Sequence, residues 1–211
     1  KIKIEFEELE PVLSIAKARE KKLFIGPFRK IERGDVDGQM AKAPHKLSGV
    51  INMAGQDHFY LESNACVVYP KEGGQLEIHA SSQHPSEVQQ LVAEALGLKL
   101  HQVVCIVKRM GGGFGGKESQ AAPFAAYAGL VALKTKRPAR LVLTKDDDMQ
   151  ITGKRNPFDN EYKVAFDDNG KILSLDIALY SDGGAMPIFQ QPLWSEPCFI
   201  ATTPTTLKIC A

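Results

Sequence analysis

Arg109-Met110-Gly111-Gly112-Gly113-Phe114-Gly115-Gly116-Lys117-Glu118 sets five glycines around a lone phenylalanine, directly after the apolar run Val103-Val104-Cys105-Ile106-Val107. The apolar run predicts a buried strand, and the Ala-rich stretch from Ser119 to Leu133 predicts a helix. Glycine reaches positive φ without a Cβ penalty, so a loop of this kind lets several amide N–H groups converge on an anion or an oxo group. A merely tight strand-to-helix turn would be served by one or two glycines. The aromatic at the apex points the same way, because a purely flexible loop has little use for it.

Two nucleotide loops share part of the pattern. Gly111, Gly113 and Gly116 satisfy G-x-G-x-x-G between strand and helix, but a dinucleotide fold also wants an acid at the end of the next strand, about 20 residues on. Here Ala139-Arg140-Leu141-Val142-Leu143 runs into Thr144-Lys145 before Asp146. Gly111 to Lys117 also spells the start of a Walker A loop, yet Glu118 stands where the metal-binding Ser or Thr belongs and would repel a triphosphate. Both nucleotide readings are disfavoured.

Working outward, Val67-Val68-Tyr69 and Leu76 to Ala80 read as a hairpin around Lys71-Glu72-Gly73-Gly74. Ser86-Glu87-Val88-Gln89 reads as a capping box, followed by the apolar face Val88, Leu91, Val92, Ala95 and Leu96, with Gly97 as C-terminal stop. Pro123 falls either in an early turn of the next helix or at a kink. Glu161 to Phe166 and Ile172 to Tyr180 flank Asp167-Asp168-Asn169-Gly170, where Asn169-Gly170 suits a type I′ turn. At the other end, Ile2, Ile4 and Phe6 alternate with charges and predict a half-buried strand. Ser14 opens a short helix through Lys21, Leu23 to Leu47 reads as an extended linker, and a second domain starts at Ser48. The fold class is α+β with mixed sheet.

A chain of 211 residues with 44% apolar content suffices for one large domain or parts of two. The formal net charge of +1 leaves no electrostatic footprint for nucleic acid. No apolar run reaches membrane-spanning length, and no signal-peptide pattern opens the chain, which starts in mid-strand like an excised piece. Cys66, Cys105, Cys198 and Cys210 are scattered without a C-x-x-C pair, which disfavours zinc and iron–sulfur sites and suits small buried hydrophobes in a reducing cytosol.

The glycine loop resembles the pterin and molybdenum loop of the xanthine dehydrogenase family of molybdenum hydroxylases. Gly55-Gln56-Asp57-His58-Phe59-Tyr60-Leu61-Glu62 resembles that family's other signature, in the same order and at a similar separation. Lys1 to Leu9, Ser82-Gln83-His84-Pro85-Ser86-Glu87 and Asp146 to Arg155 extend the likeness, which thins after about Gly183. The resemblance implies the tail of an α/β hammerhead domain over residues 1–22, a linker over 23–47, and the N-terminal part of a mixed-sheet molybdopterin-binding domain over 48–211.

It also implies the chemistry. The cofactor is molybdopterin with molybdenum; FAD and 2Fe–2S clusters are expected elsewhere in the full enzyme, which acts in the cytoplasm, is dimeric, and has neither nucleic acid nor membrane as partner. The substrate is a purine, hypoxanthine or xanthine oxidised to urate with oxygen from water, or else another N-heterocycle or an aldehyde. The family's general base lies beyond Ala211, so the piece is expected to be inactive alone. A reading from another class is a non-catalytic domain that binds a partner subunit.

Residue by residue, the family's pattern falls on five positions. Gln56 carries an amide that can donate at any working pH, and the matching family residue donates to the metal's oxo group. Gly112, Gly113 and Phe114 match residues whose backbone contacts the pterin and the metal's oxygen ligands. Gln56 and Phe114 are thus neighbours of molybdenum, and no side chain binds it directly. Glu118 matches the glutamate that holds the substrate ring in purine-oxidising members, where aldehyde-oxidising relatives carry an apolar residue. By bottom-up reasoning Lys117 is a solvated or phosphate-facing charge, His58 a buried, hydrogen-bonded histidine, His79, His84 and His101 structural, and Asp146-Asp147-Asp148 a solvated turn, with calcium-like clustering as the alternative.

Overall fold

The computed structural model describes residues 3–26, 28–184 and 206–210. The chain divides into two compact units, residues 1–55 with 156–211, and residues 56–155.

In the first unit a five-stranded sheet has the order β1-β9-β8-β7-β2, with β8 and β9 parallel and the other neighbours antiparallel. Its strands are β1 (Lys30–Arg33), β2 (His45–Met53), β7 (Phe158–Phe166), β8 (Ile172–Ser181) and β9 (Thr206–Cys210). Helix α1 (Ile15–Glu20) starts where expected, with the Ser14 hydroxyl accepting from the Lys17 amide. Helix α2 (Val36–Lys42) is capped by Asp35, which accepts from Gly38 N, and buries Val36.

Three expectations change here. Residues 3–10 form no strand, and Ile4 and Phe6 stand 75% and 85% exposed, because alternation makes a strand only when an edge is present to pair with. The stretch read as an extended linker holds β1, α2 and the start of β2; α2 is too short to show a helical period. The β7–β8 turn has positive φ at Gly170 alone, with Gly170 N donating to Asp167 O, so it is not type I′. The Asp167 carboxylate accepts from the Asn169 and Lys171 amides and makes the turn an Asx motif instead.

In the second unit a four-stranded mixed sheet has the order β5-β4-β3-β6, with β4 and β5 parallel. Its strands are β3 (Ala65–Pro70), β4 (Leu76–Ala80), β5 (Val103–Ile106) and β6 (Ala139–Val142), with the β3–β4 hairpin as expected. Helices α3 (Pro85–Leu96) and α4 (Ala121–Thr135) cover the sheet. Their core comprises Val68, Leu76, Ile78, Val88, Val92, Val103 and the alanines of α4. At Gly129 a Cβ would stand 3.0 Å from Leu96 Cδ1, so the small residues of α4 let the two helices approach closely.

Gly97 ends α3 at φ 66°, as read, and Pro123 falls in the first turn of α4. The expected capping box is absent: α3 begins at Pro85, Ser86 lies inside it, and Gln89 Nε2 donates to the Leu100 and Val103 carbonyls. Proline at the first helical position supersedes it, since its ring already has helical φ and no N–H to satisfy. Cys66 and Cys105 are free thiols in this core, both pushed up to about 11 by burial.

Candidate functional site

Two segments of the second unit, 56–62 and 81–83, meet the glycine loop between β5 and α4. The loop lies against the Gln56–Glu62 segment: a Cβ at Gly116 would fall 2.7 Å from both His58 Cγ and Tyr60 Cε1, and one at Gly111 2.6 Å from Glu62 Cβ. On another side a Cβ at Gly113 would meet Gln83 Oε1 at 2.4 Å. Gly112 and Gly115 take φ values of 95° and 90°, open to glycine alone at little cost. Close approach and backbone conformation together account for all the loop's glycines.

Hydrogen bonds then sort the loop's amides into two groups. Gly111 N donates to Glu62 Oε2 at 2.6 Å, Gly115 N and Lys117 N to Gln83 Oε1 at 3.0 and 3.2 Å, and Gly116 N to Gly113 O at 2.7 Å. Among the described residues, no group accepts from the amides of Gly112, Gly113 or Phe114. Three consecutive donors at the apex are thus without an acceptor among the described residues. Phe114 itself has φ 51° and an exposed ring.

Gln56 sits at the start of this unit. Its backbone pairs with Arg155 in both directions, at 3.3 and 3.0 Å, and its side chain is exposed. Next to it the Asp57 carboxylate accepts from Phe59 N at 2.7 Å and pairs with Lys154 at 3.1 Å. The Phe59 amide holds the Asp57 carboxyl below its ordinary value, against the upward push of burial. Phe59 too has positive φ, 49°.

Lys117 overturns the expectation of a solvated charge. It is fully buried, and its ammonium donates to Ser81 Oγ at 2.7 Å and to Glu62 Oε2 at 3.4 Å, 4.6 Å from the centre of the Tyr60 ring. Burial lowers the Lys117 ammonium, opposed by the Glu62 charge. For Glu62 the balance runs the other way. Burial pushes the carboxyl up, but the Gly111 amide, the Ser81 hydroxyl and Lys117 outweigh it and hold it below its ordinary value.

His58 is half-buried, and burial lowers its pKa despite the Asp57 carboxylate; Glu118 is near enough to act on the same imidazole. Its ring packs on Gly116. His79 and His84 pair with Glu77 and Glu87, in keeping with structural roles. In the acid run 146–148 the first two carboxylates are exposed as expected, but the run is helical and its third member is buried. The run forms the first turn of α5 (Lys145–Ile151), capped by Thr144, and Asp148, 1% exposed, accepts from the Tyr60 hydroxyl and the Asn64 amide. Among the described residues no group of three or more His, Cys, Asp or Glu side chains is set to hold a metal ion.

So the structure brings Gln56, Gly112, Gly113, Phe114 and Glu118 into one unit, on two segments in contact. Sequence reasoning missed Glu62, Gln83, Lys117 and Asp148 as the residues beneath them. Glu62 and Gln83 lay inside the motif segments, where their position was the one available signal. A cleft of about 460 Å³ adjoins the loop through Glu62, Ser81 and Arg109, with His79, Lys108 and Arg140 also lining it, and none of the five residues lines it.

Comparison with known proteins adds three findings. The sequence model of the molybdopterin cofactor-binding domain family matches residues 16–204, and so reaches well past Gly183. Xanthine dehydrogenase/oxidase of Gallus gallus is 44% identical over 184 residues, which are 87% of this chain and 14% of that protein. Aldehyde oxidase 2 of Cavia porcellus is also 44% identical, over 187 residues, 88% of this chain and 14% of the relative. The chain therefore spans about one-seventh of the length of these relatives. In fold it is similar to the aldehyde oxidoreductase from Desulfovibrio gigas, with a TM-score of 0.84 and 23% identity over 99% of this chain and 24% of that one. The quinoline 2-oxidoreductase from Pseudomonas putida 86 follows at 0.71 and 24% identity, over 84% of this chain and 24% of that one.

Proposed function

We propose, on the premise that the chain belongs to the molybdopterin cofactor-binding domain family, that it builds one wall of the active site of a molybdenum hydroxylase that oxidises purines. The observation that carries this is the trio of unused amides at Gly112, Gly113 and Phe114. They fit an anionic, oxygen-rich group, because backbone donors fixed in place need no reorganisation when it arrives. These residues would hold a molybdenum-bearing pterin, which when bound would supply the oxidation of hypoxanthine and xanthine to urate with oxygen from water.

The chain's own residues bind, orient and exclude. Gly112, Gly113 and Phe114 would donate to the cofactor, and the exposed Gln56 amide would supply a further donor toward its metal end without titrating. No side chain of the chain binds the metal directly. Phe114 offers an apolar wall. Glu118 holds the substrate ring by a charge-assisted hydrogen bond, and the general base comes from beyond residue 211. Gly112 to Phe114 and Gln56 supply one side of a cofactor cleft only, so the piece alone neither keeps the cofactor nor turns over.

Residues 1–22 serve as the tail of a hammerhead domain and 48–211 as part of the cofactor domain, while 23–47 contributes β1, α2 and the start of β2 rather than a bare linker. FAD and 2Fe–2S clusters belong to the rest of a dimeric, cytoplasmic enzyme with no nucleic acid or membrane partner; among the described residues no helix is long and apolar enough to cross a membrane.

An aldehyde or another N-heterocycle is the second reading, and aldehyde oxidase 2 being as similar as xanthine dehydrogenase/oxidase favours it. Glu118 favours the purine. A non-catalytic, partner-binding domain would have no use for three free amides on a strained apex. The test is molybdenum and phosphorus analysis of the full-length protein, with xanthine and an aromatic aldehyde offered in turn. Stoichiometric metal with faster xanthine turnover is expected, and full-length protein without molybdenum overturns the reading.

A further inference from the structure

We infer that Glu62 and Gln83 are positioning residues which together clamp the glycine loop and so set the direction of its three free amides. This rests on the cofactor reading given above. One carboxylate oxygen, Glu62 Oε2, takes the Gly111 amide at 2.6 Å, the Ser81 hydroxyl at 2.7 Å and the Lys117 ammonium at 3.4 Å. The two ends of the loop are thereby fastened to a single atom. One amide oxygen, Gln83 Oε1, takes the Gly115 and Lys117 amides, and Gln83 N in turn donates to Lys117 O at 2.9 Å. Ser82 Oγ donates to the same Lys117 carbonyl at 3.1 Å. Every clamped amide flanks the apex, and none belongs to it.

The selection matters more than the number of bonds. A chain of small residues has many conformations, and ordering each costs about 1–2 kcal/mol in entropy. A loop left to itself would turn its amides to water or to its own carbonyls. Held at both shoulders by acceptors whose own side chains come from other segments, it keeps the amides of Gly112, Gly113 and Phe114 without an acceptor among the described residues. Lys117 adds a reason for Glu62 to stay ionised: a fully buried ammonium is costly without a charged partner, so the cluster keeps the carboxylate charged and its bond to Gly111 strong. Glu62 and Gln83 touch neither cofactor nor substrate in this arrangement. They act through the backbone.

Gln83 allows a clean test because its side chain is exposed, so changing it leaves the core intact. In the full-length protein, Gln83→Leu removes the acceptor and Gln83→Glu keeps one. Two quantities are measured: hydrogen exchange of the peptide spanning residues 111–117 in cofactor-free protein, and the rate of pterin loss from loaded protein. The expectation is that Gln83→Leu speeds exchange across the loop and raises pterin loss about tenfold, the low end for groups that orient the neighbours of a bound centre. Gln83→Glu should restore both, with the melting temperature alike in all three proteins. Unchanged exchange in Gln83→Leu, or equal loss of protection in Gln83→Glu, overturns the clamp. Faster exchange with pterin retained as in the parent leaves the clamp standing and overturns the cofactor reading instead.

Discussion

The Tyr60 hydroxyl donates to Asp148 Oδ1 at 2.6 Å across 88 residues of sequence. Asn64 closes the group, donating from its amide side chain to the Tyr60 oxygen at 3.0 Å and to Asp148 Oδ1 at 3.1 Å. Lys145 donates to the Tyr60 carbonyl as well. The segment that carries Gln56 is thus tied to α5, and the ring of Tyr60 becomes the floor on which Gly116 and Lys117 rest.

Tyr60→Phe leaves a buried carboxylate short of one donor and is expected to destabilise the protein by about 1–3 kcal/mol, read as a lowered melting temperature. The same variant changes the alkaline limb. Burial first, then the Asp148 bond, pushes the Tyr60 phenol up to about 12. A group whose folded pKa lies above its unfolded value of about 10 contributes fully below that pH and loses its contribution as pH climbs through the folded value. Stability of the parent should therefore fall between about pH 10 and 12, and Tyr60→Phe should flatten that fall. Superimposable alkaline profiles would refute the assignment.

Gly111→Ala and Gly113→Ala should differ in kind. At Gly111 the new methyl meets Glu62 Cβ at 2.6 Å, an atom anchored to the backbone, and overpacking of about 2–3 kcal/mol is expected. At Gly113 it meets the far end of Gln83 at 2.4 Å, which can swing away. There the cost should be about 1 kcal/mol, while protection of the Gly115 and Lys117 amides is lost. Chemical denaturation gives the first quantity and hydrogen exchange the second; equal stability losses would contradict the distinction.

Glu118→Ala in the full-length enzyme should lower kcat/KM for xanthine by about 2–4 kcal/mol of transition-state stabilisation, the scale of removing a charge-assisted hydrogen bond from a dry site. Molybdenum content should not change. Purine turnover retained at full metal loading would remove Glu118 from the substrate site.

Gln56→Ala separates metal neighbour from substrate neighbour. It should slow purines and aldehydes by a similar factor and alter the Mo(V) resonance, since in the proposed site the missing donor belongs to the cofactor's surroundings and not to the substrate's. An unaltered resonance, or a defect confined to one substrate, would count against that role.

Local signals in the sequence were legible wherever the backbone itself decides the outcome. Gly97 with its left-handed stop, Pro123 in the first turn, and the hairpin joining β3 to β4 all follow from φ preferences and period-2 patterning. Gln56 and the glycine loop were legible as motifs. Their mutual contact was not, because nothing in a residue's own type says that His58 will pack on Gly116. The largest misreading concerns charge. Lys117 and Asp148 look like solvent-facing residues in sequence, yet their partners Glu62, Ser81, Tyr60 and Asn64 come from more than thirty residues away. The Ile4 and Phe6 alternation failed for the complementary reason: a strand needs a neighbour, and sequence alone does not supply one.

Phe59 and Phe114 both hold left-handed backbone, at φ 49° and 51°, and the two residues are 68% and 76% exposed. A bulky residue in that region costs on the order of 1 kcal/mol or more relative to glycine, and residues so open to solvent return little of it through burial. Replacing either by glycine should therefore leave the isolated fold as stable as before or slightly more so. Thermostability alone would thus favour glycine at both positions, so the cost of keeping a phenylalanine there is met by something other than the stability of this fold.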